Sequence, residues 1–456
     1  MKGLSSRRLV LTSAVAALAC VVTAGCTSTP ESGPDESSSS PATSASTSAS
    51  PEPVTIRFAV YGGADEIAAY TDLADAFMKN NPYATVVLES AATAGASMNR
   101  LQSQFAVQNA PDVFLVEHDD LAGLVRDERV QPVDLLLEER EVEFGDGFHR
   151  DGLEAFSAEA ALQCMPNDVS PDVVYYNKDL LDFTRLVEPG EDPPTAEDGW
   201  TWDEFALAAR QMSRGQVRGV HIEPALESLA PFIWSAGGAL VDDPEAPTTL
   251  TMAGGETQEA VQQVLGLVRD PGVAPTQAEL AKQSAVTRFE TGRLGMIIGT
   301  RALTPRLRET PGLDFDVFPL PEIGRFRTIS SMTGYCISAG TDKVEAAADF
   351  LAFAVGREGA TITTTAGYIV PSNVQVASSP AFNQPGGLPE NNFVFTEGVR
   401  RTDRTPFVPE WSRVVATTDP FLQRLFYAPV IDVDALLGGM DLRSQTIFAP
   451  DPAETS

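Results

Sequence analysis

Three side chains that could recognise a small polar molecule follow predicted strands in the first third of the sequence. Tyr61 follows the β-rich segment Val54–Val60, and Glu117 and Asp119 follow Asp112–Val116. In parallel sheets, ligands bind at the carboxyl ends of strands. A phenol ring can cover an apolar face of a ligand, and carboxylates can accept hydrogen bonds from its hydroxyl groups. We therefore expect these three residues to contribute to a site for a hydroxyl-rich solute.

The sequence lacks the common short motifs of catalysis and metal binding. It contains no G-x-S-x-G, S-x-x-K, H-E-x-x-H or phosphate-binding G-x-x-x-x-G-K-[ST] segment. Its three histidines, His118, His149 and His221, have no second ligand at metal-binding spacing. We expect no catalytic residue, metal or cofactor. A surface glycoside hydrolase is the alternative, because acids are plentiful and hydrolysis needs only two carboxylates at a defined separation.

The elements that position these residues alternate between strand and helix. Strand patterns cover Val54–Val60, Thr85–Leu88, Asp112–Val116, Val173–Tyr176 and Leu294–Ile298, and helical patterns cover Ile67 to Met78, Met98–Val107 and Val344–Val355. Thr201 and Glu204 form a capping box that predicts a helix start at Trp202, whose ring we expect to pack in the interior. The order predicts an α/β protein with mostly parallel sheets flanked by helices. Roughly 400 residues are too many for one ordinary core, so two lobes are expected.

The first residues predict export from the cell. Three basic residues precede an apolar run, Leu9–Val22, that is too short to span a bilayer. The run ends at Thr-Ala-Gly before Cys26, and small residues before a cysteine resemble the lipobox of bacterial lipoproteins. We expect residues 1–25 to be a signal peptide and Cys26 to be lipidated, with an ordinary secretory cleavage as the alternative. Residues 26–53 are rich in Ser, Thr, Pro and Ala and predict a disordered linker with a mean reach of roughly 30 Å.

The charge of the chain excludes two classes of partner. The formal net charge is −31, and loss of the three basic residues of the signal makes it −34. Such a charge repels nucleic-acid phosphates and anionic lipid headgroups. We therefore expect no nucleic acid or direct lipid surface as a partner.

Five segments together resemble the family-1 extracellular solute-binding proteins of ABC sugar importers, the group typified by maltodextrin-binding protein. They are Asp168–Ser170 with Val173–Leu180, Trp200–Phe205, Phe289–Gly299, Thr333–Ser338 and Tyr368–Pro371. The resemblance covers nearly all of Val54 to Pro429. It implies a two-lobed periplasmic-binding-protein type II-like fold that closes on a ligand by hinge bending. It also implies a monomeric, lipid-anchored protein on the extracellular face of the membrane, with ABC permease subunits as partners.

The resemblance divides the folded chain into four pieces. Residues 54–168 and 333–372 belong to lobe 1, and residues 169–332 and 373–456 belong to lobe 2. It implies that Asp168, Trp234 and Trp411 face the cleft together with Tyr61, Glu117 and Asp119. For both tryptophans, burial in a core is an equal alternative. It also brings Cys164 near Cys336, which can be bonded or remain separate thiols.

Two features leave the ligand open. Arg301 stands where the family often has an aromatic residue, and its guanidinium could stack on a sugar or pair with a carboxylate or phosphate. An acidic sugar or another anionic solute is therefore an alternative ligand. The adjacent Tyr175 and Tyr176 suggest a ferric-iron binder, but they lie in a strand pattern whose successive side chains point to opposite faces.

Overall fold

The computed structural model describes residues 52–449, in which strands and helices alternate. The predicted signal peptide, Cys26 and the linker up to residue 51 lie outside the described residues. The strands are β1 Val54–Tyr61, β2 Ala84–Ala91, β3 Val113–Glu117, β4 Val130–Gln131, β5 Ser157–Ala158, β6 Ala161–Leu162, β7 Met165–Pro171, β8 Val173–Asn177, β9 Arg218–His221, β10 Leu294–Gly299, β11 Phe315–Phe318, β12 Thr328–Ser338 and β13 Thr402–Asp403.

The helices lie between these strands and, in the last quarter of the chain, follow one another. They are α1 Ala64–Asn80, α2 Ala94–Ala106, α3 His118–Arg126, α4 Asp134–Glu138, α5 Arg150–Ala155, α6 Trp202–Met212, α7 Leu226–Ala236, α8 Gly255–Val268, α9 Gln277–Lys282, α10 Ala285–Glu290, α11 Thr304–Arg308, α12 Val344–Val355, α13 Arg357–Thr365, α14 Val374–Ala377, α15 Pro380–Asn383, α16 Phe393–Val399, α17 Trp411–Tyr427 and α18 Val433–Phe448. No helix of the described range is long and apolar enough to cross a membrane.

The first sheet has the strand order β13-β12-β3-β1-β2, and β4 and β7 also pair with β12. β1 runs parallel to β2 and β3, whereas β12 runs antiparallel to β3, β4 and β7. β3 is buried up to its last residue, and the second half of β1 is buried up to Tyr61, because helices cover the sheet. The carboxyl end of β3 therefore carries Glu117 to the edge of a well-packed layer.

The second sheet has the order β11-β8-β10-β9. β9 and β10 are parallel, and β8 is antiparallel to both of its neighbours. The two sheets are thus mixed, which corrects the expectation of mostly parallel sheets. The antiparallel pairs involve β8 and β12. Each of these strands starts directly after the chain has passed from one sheet to the other, and each runs in the opposite direction to the strands that it joins, apart from β13, which is parallel to β12.

Between β7 and β12, the chain passes from one sheet to the other at two points. Asp172 separates β7 of the first sheet from β8 of the second, and residues 319–327 connect β11 back to β12. The predicted division into lobes at residues 168, 332 and 372 stays a prediction.

Most of the predicted elements are confirmed. β1, α1, β2, α2, β3, β8, β10 and α12 occupy the predicted segments with ends shifted by a few residues. The capping box at the start of α6 is also confirmed, because the Thr201 hydroxyl accepts from the Glu204 N–H and the Glu204 carboxylate accepts from the Thr201 N–H. Trp202 is 6% exposed and packs on Phe205 and Phe232.

Cys164 and Cys336 form a disulfide. Cys164 directly precedes β7, and Cys336 lies in β12, so the bond ties the start of β7 to the neighbouring strand of the first sheet. Both cysteines are fully buried.

Tyr175 and Tyr176 point to opposite faces of the second sheet. The Tyr175 hydroxyl lies 2.9 Å from the Thr300 carbonyl oxygen and 2.8 Å from Thr304 Oγ1, while the Tyr176 ring packs against Phe183. A mononuclear iron site that uses both phenols is inconsistent with this arrangement.

Candidate functional site

A cavity of about 200 Å³ lies where the carboxyl ends of strands from both sheets meet. Its walls come from the β3–α3 junction, the first half of β12, the β7–β8 crossing, the end of β10 and the start of α7. The lining residues are Glu117, His118, Asp119, Asp172, Glu227, Thr300, Ile329, Ser330, Ser331, Met332, Arg404 and Thr405. We call this space the central cavity.

Glu117 stands at the carboxyl end of β3 and lines the central cavity, as expected for a ligand-contacting residue. Burial, followed by the neighbouring carboxylates of Asp120, Asp119 and Asp168, raises the pKa of its carboxyl to about 7. No hydrogen bond to its side chain occurs within residues 52–449. At neutral pH this carboxyl is therefore close to half ionised and free to bind a ligand.

Asp119 also lines the central cavity, but it is held in place. It accepts a hydrogen bond of 2.8 Å from Thr405 Oγ1, and its carboxylate lies 3.2 Å from His118 Nδ1. Burial raises the pKa of Asp119, but the bonds from His118 and Thr405 outweigh this effect and lower it. Asp119 thus presents a permanent negative charge.

Tyr61, the last residue of β1, is close to this group but does not line the central cavity. β1 pairs with β3, which ends at Glu117, and the charge of Glu117 adds to burial in raising the pKa of Tyr61. The buried Tyr61 hydroxyl has no hydrogen-bond partner among the described residues. A hydroxyl or amine of a ligand could supply that partner.

Asp168 lies in β7, four residues before Asp172 at the crossing, and is 3% exposed. Its carboxylate accepts from Ser170 Oγ at 2.7 Å and from the hydroxyl and N–H of Thr333. Burial raises its pKa to about 6 although these hydrogen bonds lower it. Both oxygens are occupied within the protein, so Asp168 acts as a link between β7 and β12 and does not line the cavity.

The two predicted tryptophans lie outside the central cavity. Trp411 begins α17 and is completely buried, and its indole N–H has no partner among the described residues. The structure thus corrects the expectation of a cleft-facing ring and favours core burial. Trp234 is half-buried near the end of α7, two helical turns after Glu227, and packs against the core.

Arg301 also differs from the prediction. Its side chain is fully buried, and its guanidinium donates to Asn392 Oδ1 at 2.6 Å and to the Phe382 carbonyl oxygen at 2.8 Å. The guanidinium carbon lies 4.2 Å from the centre of the Phe382 ring and 5.3 Å from that of Phe395. Arg301 therefore binds its own chain and cannot pair with an anionic ligand in this arrangement.

A larger cavity of about 520 Å³ lies near the second crossing, between residues 319–327 and α16. Arg325, Arg327 and Arg401 line it together with four carboxylates, Glu197, Asp198, Glu322 and Glu397. It lacks contributions from the carboxyl ends of β3, β9 and β10. We therefore place the candidate binding site in the smaller central cavity, where strand ends of both sheets converge.

Residues 72–390 match the family model described as bacterial extracellular solute-binding protein. This match covers more than half of the chain. The chain belongs to the bacterial extracellular solute-binding proteins. No curated protein matches it significantly.

Solved structures similar to this solute-binding protein share its fold. The ABC substrate-binding protein Lmo0181 from Listeria monocytogenes, in complex with cycloalternan, is 21% identical with a TM-score of 0.77, over 88% of this chain and 100% of that chain. The GacH receptor of Streptomyces glaucescens, solved unliganded and with acarbose, is 18% identical with a TM-score of 0.73, over 87% of this chain and 98% of its own. The sugar-binding protein MalE from Xanthomonas citri has the same identity and TM-score, over 87% of this chain and 97% of its own. These likenesses establish the two-lobed α/β fold.

Sequence reasoning missed two carboxylates of this solute-binding protein that line the cavity. Asp172 occupies the crossing between β7 and β8, where burial raises its pKa to about 7. Glu227 lies at the start of α7, which follows β9, and burial raises its pKa to about 6. The strand-end rule that identified Glu117 could have found Glu227, had the short strand β9 been recognised.

Proposed function

We propose that this protein is the substrate-binding component of an ABC importer and that it captures a sugar or oligosaccharide in the central cavity. The membership in the extracellular solute-binding family supports a binding role. The chemistry of the cavity supports a hydroxyl-rich ligand, because carboxylates, serines and threonines alternate with the apolar side chains of Ile329 and Met332.

The single observation that carries the proposal is the convergence of Glu117, Thr300 and Glu227 on one cavity. Glu117 ends β3 of the first sheet, whereas Thr300 and Glu227 follow β10 and β9 of the second sheet, so a ligand bound between them contacts both sheets. Such a ligand stabilises the closed arrangement. The ligands named for the similar structures, cycloalternan and acarbose, are consistent with this proposal.

A thermal-shift screen of residues 27–456 against mono- and oligosaccharides tests the proposal. A ligand at 100 times its Kd stabilises the folded state by about 2.7 kcal/mol, which produces a clear rise in Tm. The Glu117→Ala variant should lose the rise, and Glu256→Gln, which removes an exposed carboxylate on α8, should retain it. A full panel of neutral and charged sugars without any shift would contradict the proposal.

We also propose that Cys26 anchors the protein by a lipid to the extracellular face of the membrane, where it delivers the solute to permease subunits as a monomer. The lipobox-like residues before Cys26 support this. Mass spectrometry of the protein from its native membrane should show an acylated Cys26, and Cys26→Ser should release the protein to the medium. A Cys26→Ser protein that remains in the membrane fraction would contradict the anchor.

We infer that the protein releases its solute unchanged. Chromatography of the identified ligand after prolonged incubation should recover it intact. Accumulation of a shorter saccharide would instead support the alternative of a surface glycoside hydrolase.

A further inference from the structure

The central cavity has an excess of carboxylates over cations. Four of its lining side chains are carboxylic acids, Glu117, Asp119, Asp172 and Glu227, and its only Lys or Arg side chain is Arg404. Most ionised groups that proteins bury are paired with an opposite charge. The central cavity therefore differs from an ordinary polar interior in its unbalanced negative charge.

Arg404 does not neutralise these carboxylates, because its guanidinium is directed elsewhere. One terminal nitrogen lies 3.3 Å from Glu154 Oε2, and the other donates to the Asp151 carbonyl oxygen at 3.4 Å. The one remaining lining group that can carry a positive charge, His118, contacts Asp119. The carboxyls of Glu117, Asp172 and Glu227 accept no hydrogen bond from another residue and form no ion pair anywhere in the described range.

The hydroxyl of Tyr61 adds an independent indication of a missing partner. It is buried beside Glu117 and has no hydrogen-bond partner within residues 52–449. Leaving a buried hydroxyl unpaired costs roughly 1–3 kcal/mol, which a ligand that supplies the partner recovers. The unpaired carboxyls line a place for a group that donates several hydrogen bonds, and this hydroxyl lies close to its Glu117 side.

An ammonium group meets these requirements better than a hydroxyl does. It carries three donors and a positive charge, whereas a hydroxyl offers one donor and no charge. The raised pKa values of Glu117 and Asp172, both about 7, are consistent with carboxyls that lack such a partner. The cavity volume of about 200 Å³ is below the roughly 300–1,000 Å³ of pockets for drug-sized ligands, which favours a single sugar unit at this position.

We propose that the central cavity selects a solute with a protonated amine, such as an amino sugar unit, over its neutral and anionic counterparts. Glu117, Asp172 and Glu227 pair with the ammonium, and Asp119 adds its fixed charge. This inference rests on the proposed sugar-binding function and specifies the chemical class of the ligand. It replaces the anionic ligand that Arg301 had suggested from the sequence.

Titration calorimetry at pH 6.5 with two matched sets of probes tests the inference. One set is glucose, glucosamine and glucuronate, and the other is cellobiose and the chitosan disaccharide. We expect each amine to bind at least about 10-fold more tightly than its neutral counterpart, a difference of about 1.4 kcal/mol. Glucuronate should bind most weakly.

Variants connect this preference to the cavity. Glu117→Gln and Glu227→Gln should each reduce the ratio of amine to neutral affinity to below about 3-fold, because each removes one carboxylate and keeps the shape of the side chain. Glu256→Gln removes the same charge from an exposed residue that does not line the cavity and should leave the ratio unchanged. Circular dichroism verifies that each variant is folded.

The outcomes separate the two proposals. If neutral sugars bind as tightly as the amines, or if Glu256→Gln changes the ratio as much as Glu117→Gln does, the amine selectivity is wrong and sugar binding stands. If none of the probes binds, both proposals fail.

Discussion

The pKa of Glu117 gives the most direct test of the electrostatics of the central cavity. Its folded pKa of about 7 lies above the ordinary value of about 4.3 that it regains on unfolding. The folded state therefore keeps a proton that the unfolded state releases between about pH 4 and pH 7. This contribution to stability is fully present below pH 4 and is lost as the pH rises through 7.

Glu117→Gln should accordingly stabilise the ligand-free protein more at pH 8 than at pH 5, by about 2 kcal/mol. Urea unfolding at the two pH values measures this difference. Glu256→Gln serves as the control, since its carboxylate is exposed. Equal effects of Glu117→Gln at both pH values would show that the carboxyl has an ordinary pKa.

Arg301 provides a second test at this scale, because sequence and structure assign it different roles. In the structure its guanidinium joins Asn392 and the Phe382 carbonyl inside the fold. Arg301→Ala leaves those partners unsatisfied and should cost about 3 kcal/mol of unfolding free energy or more, while the affinity for any bound sugar changes less than about 2-fold. The control is Arg185→Ala, at an exposed ion pair worth at most about 1 kcal/mol. A large loss of affinity without loss of stability would restore the ligand role.

At the level of single residues, the sequence placed two predicted site residues where the structure has a cavity, and their contact with a ligand stays a prediction. Glu117 and Asp119 line the cavity because the strand-end rule depends only on where a buried strand stops. Trp411 and Arg301 could not be placed, because whether a large side chain faces a cleft or a core depends on helices packed from distant parts of the chain. Arg301, for example, is enclosed by Phe382 and Asn392, more than eighty positions later.

At the scale of elements, β12 connects most of the first sheet. It pairs with β3, β4, β7 and β13 over eleven residues, and it carries the disulfide to Cys164. Its pattern alternates only weakly because most of its residues are buried, so periodicity alone could not fix its length or its four partners. Strands β1, β2, β3, β8 and β10 and the helix with the capping box were predictable because their signals are local.

The disulfide should stabilise the first sheet without controlling the binding site. It closes a long loop, with a sequence separation of 172 residues, but it links β12 to the residue directly before β7, and both strands belong to one sheet. Replacing both by alanine should lower the unfolding free energy by about 2–5 kcal/mol and leave ligand affinity within about 2-fold. Denaturant unfolding and calorimetry of the double variant measure both quantities. The two alanines leave no free thiol at these positions, so disulfide exchange there cannot affect the result. A strong loss of affinity in a folded variant would contradict a purely structural role of the disulfide.

At the scale of the whole molecule, the order of five short segments predicted the fold. The sequence did not predict all of the residues that line the cavity. Asp172 and Glu227 meet at one cavity although 55 positions separate them, and neither belongs to a motif. Their meeting depends on how the two sheets are connected, which no local pattern encodes. The order of motifs therefore identifies the family, and the three-dimensional arrangement is needed to specify the ligand.

The net charge, −31 for the full sequence and −34 for residues 27–456 without Lys2, Arg7 and Arg8, makes a further prediction for the molecule as a whole. Repulsion among like charges destabilises the compact state, and salt screens it, since the Debye length falls from about 30 Å at 0.01 M to about 8 Å at 0.15 M. The Tm of residues 27–456 at pH 8 should therefore rise by at least about 2 °C between these sodium chloride concentrations. Near pH 4.4, the isoelectric point of the sequence, the same addition should leave Tm unchanged, because the net charge is then close to zero. An equal rise at both pH values would mean that salt acts through solvent exclusion and that self-repulsion contributes little to the stability of this acidic protein.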